Sequence, residues 1–112
     1  MSSSKLLKGS LATIVLRLLE EQEKMYGYEI TQKVKQLTEG EFKITEGALY
    51  PTLHKLEAEG YLTTETQLVD GRVRKYYSLT KEGNAEAKAK VSELEEFLAN
   101  LQKVLNPKLG LG

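Results

Sequence analysis

The chain has 112 residues and a mass of 12.6 kDa, with 40% hydrophobic and 29% charged residues; this is enough for one domain, too apolar for disorder, and without any run long enough to span a membrane. With no cysteine and a single histidine, His54, the sequence excludes disulfides, thiolate metal sites, a cysteine nucleophile and a multi-histidine metal centre within one chain. Sixteen basic residues balance sixteen acidic ones, six of each in 1–42 and five of each in 43–80 and in 81–112, so attraction for an anionic partner must come from local clusters.

The N-terminus, MSSSKLLKGS, lacks the apolar stretch and cleavage site of a signal peptide, which points to the cytoplasm. Leu7, Leu11, Ile14, Val15, Leu18 and Leu19 recur at three- and four-residue spacing and predict a first helix over 6–22. Glu20 and Lys24 are spaced to pair where it frays. After Met25-Tyr26-Gly27, Ile30, Val34 and Leu37 predict a second helix over about 27–38, with Glu29 and Lys33 as an outward pair and Gly40 just past its end. The third helix, 46–58, takes Thr45 as its N-cap, buries Leu49, Leu53 and Leu56, and stops at Gly60. Pro51 inside it deletes a backbone hydrogen bond, so the periodicity predicts a late start or an irregular first turn.

The period then changes to two. YLTTETQLV (61–69) and RVRKYYSL (72–79) flank Asp70-Gly71, the signature of a hairpin with a type I′ turn. This register pairs Val69 with Arg72, Gln67 with Arg74, Glu65 with Tyr76 and Leu62 with Leu79. It places Arg72, Arg74 and Tyr76 on one face and Val73, Lys75, Tyr77 and Leu79 on the other. A last helix runs from after Thr80 to about 105, ended by Asn106-Pro107. Ala87, Val91, Leu94, Leu98, Leu101 and Leu105 form a heptad seam on it, widened by Phe97 and Val104. At 1.5 Å per residue it spans roughly 38 Å, longer than the rest of the domain can cover, so its apolar face calls for a second copy of the chain. Residues 107–112 are expected to form a flexible tail.

The expected fold is therefore mainly α with a small β-hairpin: a winged helix-turn-helix over 1–80 followed by a long dimerisation helix over 81–106. In that plan the 46–58 helix enters the DNA major groove and the 61–79 hairpin is the wing. Thr45, Tyr50, Thr52, His54 and Lys55 on the helix and Arg72, Arg74, Lys75 and Tyr76 on the wing are the candidate DNA contacts. Lys55 and the wing cations suit phosphates, Thr52 suits a base edge, and Lys5 and Lys8 lie ahead of the first helix as further basic groups. No paired carboxylates in a predicted cleft, phosphate-binding glycine loop or nucleophile–base pair is present, so no enzyme, metal or cofactor is expected. The alternative reading is a winged-helix module for protein–protein contact, which zero net charge favours and the basic wing tip disfavours.

Four stretches in order, Tyr26-Gly27-Tyr28-Glu29-Ile30, Gly47-Ala48-Leu49-Tyr50-Pro51-Thr52-Leu53, Leu56-Glu57 with Gly60-Tyr61-Leu62, and Arg74-Lys75-Tyr76-Tyr77-Ser78-Leu79-Thr80 with Gly83, resemble the PadR family of bacterial transcriptional regulators over roughly residues 6–105. The resemblance implies a homodimeric winged-helix repressor of the smaller subgroup, with a single C-terminal helix, binding a palindromic operator in double-stranded DNA. It implies a Tyr-Pro pair near the start of the recognition helix, and a DNA-contacting role for Tyr50. Together with the heptad seam it makes Ala87, Val91, Leu94, Phe97, Leu98, Leu101 and Leu105 the expected dimer interface, with close packing on the chain's own core as the other reading of Ala85, Ala87 and Ala89. Some members line a drug or phenolic-ligand cavity at the dimer centre with aromatic residues of this helix. Here Val91, Leu94 and Leu98 stand there, Phe97 is the one aromatic nearby and the chain has no tryptophan, which argues against a planar effector.

Overall fold

Leu11, Val15, Leu18 and Leu19 are all at most 7% exposed, so the apolar stripe of the first helix does face a core. A computed structural model of the chain describes residues 2–110. Helix α1 (Ser2–Glu21) is followed by β1 (Met25–Tyr26), α2 (Gly27–Leu37), α3 (Glu46–Ala58), β2 (Leu62–Val69), β3 (Arg72–Leu79), α4 (Lys81–Leu105) and the single turn α5 (Pro107–Gly110). This is a mostly helical winged helix-turn-helix with a three-stranded antiparallel sheet of order β1-β3-β2. The expected tail falls partly in α5, and Leu111 and Gly112 lie outside the described residues.

Leu16, which falls off the predicted α1 stripe, is also fully buried. Helix α1 touches α3, β3 and α4, and a helix covered on several sides buries more than one stripe. Ile14, inside the stripe, is only half-buried. From the other elements the core takes Met25, Ile30, Val34, Leu49, Leu53, Leu56, Leu62, Tyr77 and Ala87. Leu37 is 62% exposed, so the α2 stripe ends one turn early.

The hairpin register is the expected one throughout, from Leu62↔Leu79 to Val69↔Arg72. Asp70 and Gly71 both have positive φ, 49° and 77°, as a type I′ turn requires. Strand β1 was hidden in the Met25-Tyr26 interruption: Met25 pairs with Tyr77 and Tyr26 with Tyr76. Two residues are too few to show a period.

Two expected ion pairs are replaced. Lys24 lies beyond the end of α1, so it loses the i, i+4 spacing to Glu20 and sits 3.7 Å from Glu65 instead. Glu20 meets Arg17 at 3.1 Å and, across the interface with α4, Lys88 at 3.4 Å. Glu29 does not reach out to Lys33 but turns back over the start of α2, accepting from the Tyr26 amide at 3.3 Å and from Gln22 Nε2 at 2.8 Å. A helix N-terminus has unpaired amides, and a carboxylate in the first turn satisfies one.

Thr80 joins three elements. Its hydroxyl donates to the Gly60 carbonyl at 2.6 Å and accepts the Gly83 amide at 2.9 Å, while its amide donates to the Tyr61 carbonyl at 3.0 Å. The start of α4 is thereby pinned to the loop between α3 and the sheet.

Candidate nucleic-acid interface

Helix α3 buries Leu49, Leu53 and Leu56 and turns Glu46, Gly47, Pro51, His54, Lys55 and Ala58 to solvent. It starts at Glu46 directly after the Thr45 cap, so the late start does not occur and Pro51 is accommodated inside the helix. The carbonyl four residues before a proline loses its helical donor; here that residue is Gly47, on the exposed face where solvent supplies one. The outward face is thus open, small at Gly47, Pro51 and Ala58, with Glu46, His54 and Lys55 as its long polar side chains.

The other helix candidates have local duties. Thr45 caps α3, accepting the Ala48 amide at 3.2 Å. Thr52 does not share the outward face: it is half-buried, its hydroxyl donates back to the Ala48 carbonyl at 3.2 Å, and with Lys55 it borders a hollow shared with α1 and α4. Tyr50 is half-buried, its ring lying directly over Gly27 at the start of α2 and 6.3 Å from the His54 ring.

On the wing the three cations are separated by partner. Arg72 is exposed at the tip and makes no ion pair among the described residues. Arg74 lies 4.1 Å from the centre of the Tyr26 ring, which in turn meets Tyr76 edge-on at 5.5 Å. The Tyr76 side chain is the main group that raises the Arg74 pKa above its ordinary value. Lys75 is 3.8 Å from Glu57 of α3 and 5.5 Å from the Tyr77 ring centre. Tyr76 is half-buried with Lys24 5.3 Å from its ring. Beyond the core, Leu68 and Val73 face each other across the strands and are both 74% exposed.

Lys43 was not singled out from the sequence. It joins Lys8, which like Lys5 lies within α1 and not ahead of it, and Ile44, Thr45 and Ala48 around a hollow of about 220 Å³ at the N-terminal end of α3. The two lysines are 35 positions apart, and no local pattern brings them together; only Lys43's place two residues before the cap hints at it. Helix N-termini favour anions, so two lysines there add to an existing preference.

The α4 residues divide into two groups. Ala87 is wholly buried in its own chain and has no surface left for a partner, which removes it from the expected interface. Its small side chain lets α4 approach the core closely, whereas Ala85 and Ala89 are exposed. Val91, Leu94 and Leu98 line, with Ile14, Leu18, Val34, Leu37 and Phe42, an apolar groove of about 280 Å³ between α1, α2 and α4. Further along, Phe97, Leu98, Leu101, Val104 and Leu105 are 59%, 51%, 38%, 74% and 72% exposed. No helix among the described residues is long and apolar enough to cross a membrane, and no group of three or more potential metal ligands occurs among them.

Comparison with known proteins places this geometry. Residues 15–89 match the transcriptional regulator PadR-like family. A transcriptional regulator of Mycobacterium tuberculosis is 40% identical over 73 residues, which are 65% of each chain. The structure of a transcriptional regulator from Clostridium thermocellum superposes with a TM-score of 0.77 at 33% identity, covering 92% of this chain and 96% of that one. A PadR family transcriptional regulator from Eggerthella lenta gives 0.75 at 29% identity, covering 93% and 85%.

Proposed function

The chain belongs to the PadR-like family of transcriptional regulators, and from that premise we propose that it is a sequence-specific DNA-binding repressor acting as a homodimer on a palindromic operator. One observation carries the reading: α3 leaves the small Gly47, Pro51 and Ala58 uncovered together with His54 and Lys55, Glu46 being confined to its first turn, beside a wing whose tip holds the free Arg72. Small residues let the helix backbone come close to base edges, and the flanking cations meet phosphates. Lys8 and Lys43 at the N-terminal end of α3 add phosphate contacts. Few charges suffice because they lie together, which is how a chain of zero net charge binds a polyanion.

The dimer forms through α4. Its outer half exposes Phe97, Leu98, Leu101, Val104 and Leu105, a contiguous apolar surface of the kind that marks an interface. The apolar groove between α1, α2 and α4 adjoins it through Leu98 and is closed by the second copy rather than by a planar effector. Two recognition helices related by a two-fold axis require half-sites about one helical turn apart.

The test is selection of bound duplexes from fragmented genomic DNA by purified protein, with Lys55→Ala/Arg72→Ala in parallel. Wild type should enrich a palindrome that the variant does not. If about six phosphates are neutralised per dimer, the logarithmic salt slope is roughly −5. A folded, dimeric wild type that enriches nothing at low salt overturns the reading and favours the protein–protein module.

A further inference from the structure

Lys75 sits among the basic residues of the wing, yet it faces the chain itself. Its Nζ is 3.8 Å from Glu57 Oε1, while the Thr64 hydroxyl donates to Glu57 Oε2 at 3.3 Å. Glu57 stands on the last turn of α3, Thr64 on β2 and Lys75 on β3. One half-buried carboxylate therefore reaches both strands of the wing from the recognition helix. Among the described residues this is the one ion pair that involves α3. The core holds the hairpin only at its base, through Leu62 and Tyr77, while Leu68 and Val73 near the tip are exposed.

We infer that Glu57, held between Thr64 and Lys75, is a positioning residue that sets the angle of the wing against α3 for DNA, and that Lys75 serves this brace instead of neutralising a phosphate. The inference rests on the DNA-binding reading above and deepens it. It also makes a prediction of unusual sign. A carboxylate on a helix in the major groove lies within about a Debye length, roughly 10 Å at 0.1 M salt, of several phosphates. If Glu57 were only a bystander, its removal would strengthen binding by relieving repulsion and freeing Lys75. If it is the brace, its removal weakens binding although a negative charge has been lost.

The experiment measures duplex affinity against salt for wild type, Glu57→Gln, Lys75→Met, the double variant, Thr64→Val and Arg72→Ala, on the operator selected above, with thermal melts showing that each variant folds. The brace predicts that Glu57→Gln and Lys75→Met each weaken the dimer's binding roughly threefold to thirtyfold, the product of two modest pairs. It predicts no change in salt slope for either. The double variant should be no weaker than the worse single one, because both remove the same interaction. Thr64→Val, which removes no charge, should also weaken binding at constant slope, and Lys75→Arg, which keeps a cation beside Glu57, should bind as wild type does. Arg72→Ala, a phosphate contact, should instead reduce the slope by about two per dimer. Tighter or unchanged binding by Glu57→Gln, or a slope reduced by Lys75→Met, overturns the brace while leaving the DNA reading intact. Wild type that retains no duplex at low salt overturns both.

Discussion

At Gly83 a Cβ would run into the backbone carbonyl of Tyr61, whose carbon is only 2.9 Å away. That carbonyl is fixed by the Thr80 amide and cannot yield. Gly27 is also crowded, but by the outer end of the Tyr50 ring, with Cζ at 2.8 Å, and a side chain can turn aside. Gly83→Ala should therefore cost about 2 kcal/mol and Gly27→Ala less than about 1 kcal/mol, read as the difference between their denaturant midpoints. Gly27→Ala should nonetheless weaken DNA binding, since it displaces Tyr50 from the side of His54. Tyr77 gives a pH-dependent counterpart. Burial pushes its phenol up from the ordinary value of 10.0, and Glu57 and then Tyr50 push the same way. The neutral phenol is thus favoured in the fold. Its stabilisation is complete below the unfolded value and is lost as pH rises toward the folded one, because over that window the unfolded chain binds fewer protons. Tyr77→Phe should show a smaller fall in melting temperature above pH 10 than wild type does.

At the scale of elements, α3 and the wing show how neighbouring residues of like chemistry acquire unlike roles. Arg72, Arg74 and Lys75 are nearly consecutive, but strand alternation and distance from the core separate them: Arg72 is free, Arg74 lies on Tyr26, and Lys75 meets Glu57. Arg74→Ala should loosen β1, the strand that carries Tyr26, and raise amide exchange at Met25 and Tyr26 without the slope change expected of Arg72→Ala. Pro51 is tolerated for a related reason, since the carbonyl it orphans is at the exposed Gly47. The four long helices, the two hairpin strands and their register were legible in the sequence because periods of 3.6 and 2, capping threonines and an Asp-Gly turn act over a few residues. The roles of Thr52, Lys75 and Lys43 were not. Each depends on what a different element places beside it: Ala48's carbonyl on the preceding turn, Glu57 across from the wing, and Lys8 from α1.

Across the whole molecule, measuring 57 × 31 × 20 Å, the long axis reflects α4 reaching past the core. Leu101 and Leu105 lie on that outer part and are exposed in the single chain. Leu101→Lys should leave the winged-helix core folded, since exposed positions change monomer stability by only about 0.5 kcal/mol, but should dissociate the dimer. Sedimentation should give the 12.6 kDa mass for the variant and twice that for wild type. The wild-type melting temperature alone should rise with protein concentration.

Length, the absence of cysteine, local periodicity and four short stretches of sequence determined the fold class, the order of the four long helices and the hairpin, and the family, because helix and strand periods, caps and turns are set by residues close along the chain. Tertiary structure alone decided that Ala87 is core and not interface, that β1 exists, that Glu20 answers Lys88 instead of Lys24, and that of three wing cations only Arg72 is left free. The physical reason is common to all four. Whether a side chain is buried, paired or free depends on which distant segment packs against it, and the spacing of residues along the chain carries no record of that neighbour.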